Sequence, residues 1–126
     1  MYLPKSYEKD SISNFPLTIV LDAEKLFDLY VGSSNYFAAT DNAPEQIIVG
    51  VNIADTRKRD LSFDETTSKL SPEGKKFYQF INDELLPYIE ANYKTSPFLS
   101  IVGTGMSGNF VTYFLREKNP IFNAYV

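Results

Sequence analysis

Histidine and cysteine are both absent from the 126-residue sequence. Without histidine, the chain lacks the usual general base, the usual partner of a catalytic serine and the commonest ligand of transition metals. Without cysteine, it has no disulfide, no thiol nucleophile and no thiolate metal site. We therefore expect neither a metal site nor a bound cofactor.

Long apolar runs and clustered positive charge are also missing. No window approaches the roughly 20 apolar residues that a membrane span needs, so no membrane partner is expected. The opening residues, MYLPKSYEKD, contain no apolar signal core, and with no export signal visible the default expectation is a cytoplasmic location. The net charge is −4, and the basic residues are scattered apart from one cluster at residues 57–59. This distribution argues against nucleic acid as a partner.

What is present indicates a folded α/β domain. The sequence is 44% hydrophobic and 15% aromatic, which is enough to bury a core in a chain of one-domain length. Apolar β-branched runs predict four strands, at residues 17–21, 46–53, 98–102 and 122–126. Helical spacing predicts helices after Asp22, at 71–93 and at 106–118. This alternation predicts a three-layer sandwich with a mostly parallel sheet and helices on both of its faces.

Three local features complete this expected organisation. The inward face of the first helix is expected to run from Leu26 to Tyr36 and Phe37, with Gly32 as a weak point. Pro87 is expected to kink the second helix. Residues 54–70 are polar and rich in turn formers, which predicts a surface loop.

The stretch IVGTGMSGNF at residues 101–110 follows a predicted strand and opens a predicted helix. As G-x-G-x-x-G, residues 103–108 would bind a dinucleotide, but two strand–helix units precede them and no acid follows about 20 residues later. As a nucleophile elbow, G-x-S-x-G, the stretch has Gly103 and Ser107 at the two small positions and Gly105 in place of the serine. A glycine-rich turn that carries no chemistry is the third alternative.

Five ordered blocks resemble one esterase family. They are YLPKSY, LTIVLDA, IIVGVNIADTRKRDLSF, FINDELLPYIEANYKT and IVGTGMSGNFVTYFL, the last followed by FNAYV. Together they resemble the α/β-hydrolase family that includes esterase D and the enterochelin esterases, over essentially the whole chain. The resemblance implies a carboxylic-ester hydrolase fold in which residues 1–126 form a single partial domain. In that family the acid and the histidine of the triad follow the nucleophile in the chain. By this resemblance both are expected past Val126.

The resemblance also assigns positions to the site. Gly105 stands at the nucleophile position, and Met106 and Ala23 stand where backbone N–H groups form the oxyanion hole. Because backbone donors need no particular side chain, this hole can survive the loss of the serine. We expect a serine esterase homologue that is inactive as given, because the nucleophile and the histidine are missing. The alternatives are a ligand-binding pseudoenzyme for a small ester or acidic ligand, and nucleotide binding through Gly103, Gly105 and Gly108.

Other residues have two interpretations each. Arg57 and Arg59 resemble the family's R-x-R-D-L segment and could bind a carboxylate or phenolate of a substrate, but a structural Arg–Asp pair is favoured. Asp22 is expected to be the N-cap of the first helix, with a ligand contact as the alternative. Ser107 is expected to be a small packing residue rather than a nucleophile.

The last predicted strand, at residues 122–126, has no further strand after it in the sequence. We expect its edge to be unpaired and to favour self-association.

Overall fold

Four parallel strands form the sheet of the computed structural model, which describes residues 1–126. The strands are β1 (Phe15–Leu21), β2 (Ile47–Val51), β3 (Thr95–Val102) and β4 (Ala124–Tyr125), in the order β2-β1-β3-β4. β1 lies in the centre, where Leu17 pairs with Ile47 on one side and with Leu99 on the other. The predicted α/β fold and its four strands are confirmed, with small differences at the strand ends.

The helices lie on both faces of this sheet. They are α1 (Ala23–Ala39), α2 (Arg57–Asp60), α3 (Pro72–Gln79), a π-helical segment (Phe80–Leu85), α4 (Leu86–Asn92), α5 (Met106–Tyr113) and a 3₁₀ turn (Phe114–Arg116). α1 packs over Val20, Ile48 and Val102 on one face. The larger apolar cluster, on the other face, includes Ile81 from the π-helical segment, Ile89 from α4, Phe110 from α5 and Phe114 from the 3₁₀ turn.

This strand order fixes where a site can form. The chain leaves β1 through α1 toward β2 at one side, and leaves β3 through α5 toward β4 at the other. The carboxyl ends of β1 and β3 therefore flank a topological switch point, and ligands of open α/β sheets bind at such points.

Two expectations about the helices need correction. α1 runs unbroken through Gly32, but Tyr36 and Phe37 near its end do not face inward, because their exposed fractions are 66% and 49%. The stretch after Ser71 is not one bent α-helix. A π-helical segment precedes α4, with Pro87 in the first turn of α4. A π turn shifts the backbone hydrogen-bond register, so the missing N–H of Pro87 is accommodated without breaking the helix.

The segment 54–70 is more than a surface loop. It contains α2, and Phe63 forms an isolated bridge with Leu70. Leu61 and Leu70 are buried in the larger apolar cluster. This anchoring places the side chains of α2 at defined positions beside the sheet.

The two edges of the sheet differ in their protection. Tyr2 forms an antiparallel bridge with Ile48 at the β2 edge. The opposite edge is β4, only two residues long, and short edge strands offer little to a pairing partner. None of the helices combines the length and the apolar character that crossing a bilayer requires.

Candidate functional site

Asp22 and the turn 103–105 lie at the carboxyl ends of the two strands that flank the switch point. Asp22 directly follows β1, and Gly103, Thr104 and Gly105 connect β3 to α5. Parallel pairing of Val20 with Val102 brings these two chain segments to the same edge of the sheet. α1 and α5 therefore begin at neighbouring strand ends, although they pack on opposite faces of the sheet.

The turn after β3 has the backbone conformation of a nucleophile elbow at Gly105. Its dihedral angles are φ 55° and ψ −116°, a region that residues with a side chain rarely adopt. A Cβ built on Gly105 would have no neighbour closer than Nη2 of Arg57, at 3.8 Å. Position 105 thus has room for a side chain, and in this chain the room is left open beside a guanidinium group.

Gly103 is required by close packing between β3 and α5. A Cβ at this position would lie 2.6 Å from the carbonyl carbon of Ser107 and 2.8 Å from the backbone nitrogen of Gly108. Both atoms belong to the first turn of α5 and cannot rotate away. The small residue that the elbow pattern demands at position 103 is therefore explained by the approach of the helix.

Asp22 is the central polar residue of the site, and its side chain does not cap α1. It stands at the N-cap position of α1, as expected, and its carbonyl oxygen accepts from Lys25 and Leu26, but its carboxylate accepts no N–H from the first turn. The carboxylate instead accepts hydrogen bonds from Nε of Arg57 at 2.6 Å, from Nη2 of Arg57 at 3.1 Å and from Oγ of Ser107 at 2.6 Å. Asp22 is fully buried and adopts the left-handed conformation, with φ 51°.

The ionisation of Asp22 follows from these contacts. Burial alone would raise the pKa of the Asp22 carboxyl. The hydrogen bonds from Arg57 and Ser107, together with the positive charge of Arg57, outweigh burial and hold this pKa below its ordinary value of 3.8. The site therefore contains a buried carboxylate that is charged at neutral pH and fully engaged by its partners.

Thr104 is held at both of its backbone groups. Its N–H donates to Oγ of Ser107 at 2.7 Å, and its carbonyl oxygen accepts from Nη2 of Arg57 at 3.1 Å. Ser107 is fully buried, and its hydroxyl is committed to Asp22 and Thr104. Ser107 is therefore a small buried residue, as the sequence predicts, but its hydroxyl also forms hydrogen bonds that the sequence did not indicate.

Ala23 and Met106 present backbone donors at the site. They are the first residues of α1 and α5, so their N–H groups have no acceptor within the helices, and the positive ends of both helix dipoles lie there. The hydrogen bond between Ser107 and Asp22 joins the residues next to these two donors. Two backbone N–H donors so placed can bind a carbonyl oxygen, a developing oxyanion or a carboxylate.

The structure brings Arg57 to the elbow but not Arg59. Arg59 forms an ion pair with Asp60 at 2.8 Å, and its side chain is 63% exposed on the outer side of α2. It lines a surface groove with Glu73, Lys76 and Phe77. Both arginines thus form Arg–Asp pairs, and only Arg57 is close enough to the elbow to contact a ligand there.

The link between Asp22 and Arg57 was missed by sequence reasoning. The expected structural Arg–Asp pair forms between Arg59 and Asp60, but the partner of Arg57 lies 35 residues earlier in the chain. The available signal was a polar residue, Asp22, directly after a buried strand. No three acidic side chains converge into a group that could hold a metal ion.

Comparison with known proteins gives a family match and several structural relatives. Residues 1–124 match the family model described as Putative esterase. No curated protein is significantly similar to the chain. An uncharacterised protein from Capnocytophaga ochracea, known from a crystal structure, is 29% identical with a TM-score of 0.87, and the match covers 97% of this chain and 33% of that one.

Two further relatives are hydrolases by their descriptions. An IroE-like serine hydrolase from Shewanella oneidensis is 26% identical with a TM-score of 0.81, over 98% of this chain and 43% of that one. The enterobactin and salmochelin hydrolase IroE shares the fold at 17% identity and a TM-score of 0.70, over 90% of this chain and 48% of that one. The chain thus spans between one third and one half of the length of these three structures.

Proposed function

This chain belongs to the Putative esterase family, and on that premise we propose that it is an esterase homologue whose site binds a small ester or carboxylate without cleaving it through a serine. The observation that carries the proposal is Gly105. It occupies the nucleophile position with elbow dihedral angles, φ 55° and ψ −116°, but supplies no hydroxyl group.

The loss of catalysis follows from the missing groups. Covalent catalysis needs a nucleophile and a base within hydrogen-bond reach of it. Gly105 removes the first, and no histidine among the 126 residues can supply the second. When triad members are removed from a serine hydrolase, the oxyanion hole and binding alone retain roughly 10³–10⁴-fold acceleration over water. We take this as the upper limit for the chain.

The retained groups favour binding of a ligand with a carbonyl or carboxylate. The N–H groups of Ala23 and Met106 would donate to its oxygen atom, in the region where α1 and α5 both present positive dipole ends. Arg57 uses Nε and Nη2 to hold Asp22 and Thr104, which leaves Nη1 available as a donor. Because the charge of Arg57 is paired with that of Asp22, a preference for an anionic group would come from this N–H donor and from the positive ends of the two helix dipoles.

Hydrolysis provides the first test. We expect the chain to accelerate the cleavage of p-nitrophenyl butyrate over water by no more than roughly 10³–10⁴-fold. A fluorophosphonate, which reacts with active serines, should not change this rate. Intact mass spectrometry after treatment with the fluorophosphonate should show no adduct, while an active serine esterase treated in parallel is labelled. Hydrolysis that the reagent abolishes, with an adduct on any serine of this chain, would contradict the proposal.

Removal of one backbone donor provides the second test. In Met106→Pro the N–H at position 106 is lost, while proline at the first position of a helix is well tolerated. The preceding Gly105 has the mirror image of an extended conformation, which glycine can adopt before proline. A hydrogen bond to a charged acceptor contributes about 1.5–3 kcal/mol, so we expect the affinity for butyrate to fall at least about tenfold.

Met106→Ala is the matched control, because it shortens the same side chain and keeps the N–H. Calorimetric titrations with butyrate, ethyl butyrate and 2,3-dihydroxybenzoate should give similar affinities for this variant and the unchanged chain. If Met106→Pro and Met106→Ala bind butyrate equally well, the backbone at position 106 is not part of the binding site.

A further inference from the structure

Thr104, the residue before Gly105, is fixed from two sides by groups that share one partner. Ser107 accepts its N–H, Arg57 donates to its carbonyl oxygen, and both Ser107 and Arg57 donate to Asp22. We propose that Asp22, acting through Ser107 and Arg57, is the positioning residue that holds Gly105 in its positive-φ conformation. The consequence of this role of Asp22 for ligand affinity rests on the function proposed above. The effect of Asp22 on the conformation of Gly105 does not.

Two unusual backbone conformations lie at this place. Gly105 has φ 55° with ψ −116°, which glycine adopts without steric cost, and Asp22, which is not a glycine, has φ 51°. Because glycine can adopt many other conformations as well, the hydrogen bonds around Thr104 select this one. The two residues lie on neighbouring strand ends, and the hydrogen bonds of Asp22 link it through Arg57 and Ser107 to Thr104, the neighbour of Gly105.

The chemistry of Asp22 suits this role. A carboxylate has two oxygen atoms that only accept, so Oδ1 takes Nε of Arg57 while Oδ2 takes both Nη2 of Arg57 and Oγ of Ser107. The pairing with Arg57 is bidentate, which fixes the plane of the guanidinium group as well as its distance. That plane directs Nη2 at the carbonyl oxygen of Thr104. An asparagine would turn an amide N–H₂ toward a donor and break one side of this arrangement.

The same hydrogen bonds set the spacing of the two backbone donors. Ala23 follows Asp22 and Met106 precedes Ser107, and the hydroxyl of Ser107 lies 2.6 Å from the carboxylate of Asp22. Loss of Asp22 or Ser107 would therefore let the starts of α1 and α5 move relative to each other. A ligand that bridges Ala23 and Met106 would lose affinity although neither side chain touches it.

A double-mutant cycle between positions 105 and 107 tests the proposal by urea unfolding followed by circular dichroism. If the hydrogen bonds hold φ positive, Gly105→Ala should raise the unfolding equilibrium constant about tenfold or more in the otherwise unchanged chain. In the Ser107→Ala background the turn can relax, and Gly105→Ala should then raise the unfolding equilibrium constant no more than about threefold. Asp22→Asn is the second background, since asparagine tolerates the left-handed conformation.

Gly32→Ala is the matched control for this cycle. Gly32 lies in α1, and a Cβ there would have no neighbour within 4 Å. We expect its effect on the unfolding constant to be the same in all backgrounds. Equal effects of Gly105→Ala with and without Ser107 or Asp22 would overturn the proposal.

The cycle separates this inference from the function proposed above. If the unchanged chain binds no butyrate, the proposed function fails while the coupling between positions 105 and 107 still decides the role of Asp22. If butyrate binds, Ser107→Ala should weaken its binding at least about threefold. Unchanged affinity in a folded Ser107→Ala variant would contradict the role of Asp22 in placing Ala23 and Met106.

Discussion

Arg57→Met is expected to destabilise the chain by about 3 kcal/mol at neutral pH, because it leaves a buried charge without its main partner. The carboxylate of Asp22 is fully buried and receives two of its three hydrogen bonds from Arg57. Methionine can fill part of the space of the arginine stem but donates nothing. Urea unfolding of the variant and the unchanged chain gives this difference directly.

The pH dependence adds a second, independent readout. In the unchanged chain the pKa of Asp22 is lowered, so its stabilising contribution is present above the ordinary value of 3.8 and is lost as the pH falls through the lowered pKa. Without Arg57, burial is opposed by the hydrogen bond from Ser107 and by the positive charge of nearby Lys25, so the pKa of Asp22 should rise. The destabilisation caused by Arg57→Met should therefore shrink between about pH 7 and about pH 4, as Asp22 takes up a proton in the variant.

Arg59→Met is the control for this experiment. It removes the same side-chain type from the same short helix, but the side chain of Arg59 is 63% exposed and its ion pair with Asp60 lies near the solvent. Exposed pairs of this kind contribute little to stability. If Arg57→Met is no more destabilising than Arg59→Met, the bond from Arg57 does not stabilise the buried carboxylate of Asp22.

Gly103→Ala is expected to destabilise the chain by roughly 3 kcal/mol, because its Cβ would overlap backbone atoms. The nearest are the carbonyl carbon and oxygen of Ser107, at 2.6 and 2.7 Å, and the nitrogen of Gly108, at 2.8 Å. α5 would have to move away from β3, and with it the fully buried side chain of Phe110. Thermal and urea unfolding should both show the loss.

Gly108→Ala is the matched control, five residues further on. Its Cβ would meet the carbonyl oxygen of Gly103 at 3.4 Å, an ordinary contact, and the residue lies inside α5. Alanine is the better helix former, by up to about 1 kcal/mol, so this variant should be neutral or slightly more stable. Equal destabilisation by the two substitutions would contradict the steric explanation for Gly103.

Regular patterns in the sequence were enough to predict the architecture. Continuous apolar runs located the strands, and the small residues around Gly105 located the elbow, because both depend on neighbours close in the chain. The predicted inward face of α1 extended too far, to Tyr36 and Phe37. Helical spacing alone cannot show that the sheet ends before these two residues. α2 and the burial of Leu61 and Leu70 were missed because polar neighbours dominate that segment.

The candidate site was only partly predictable for a related reason. Its backbone donors, Ala23 and Met106, were assigned through family resemblance, and the structure places them at the starts of the two helices that follow the neighbouring strands β1 and β3. The network around Asp22 joins residues 35 and 85 positions apart, and no local pattern reports such a pairing. An N-cap role for Asp22 was the natural local expectation, but the carboxylate is instead drawn to Arg57.

A titration of the ¹⁵N-labelled chain with butyrate, followed through its backbone amide resonances, tests directly whether the site binds a ligand at Ala23 and Met106. If the esterase site binds a ligand without a nucleophile, the amides of Ala23 and Met106 should show the largest shifts. The shifts should saturate at millimolar butyrate, which corresponds to about −4 kcal/mol of binding free energy. The claim is contradicted if these two amides stay unchanged up to about 10 mM, or if the largest shifts fall on the groove beside Arg59.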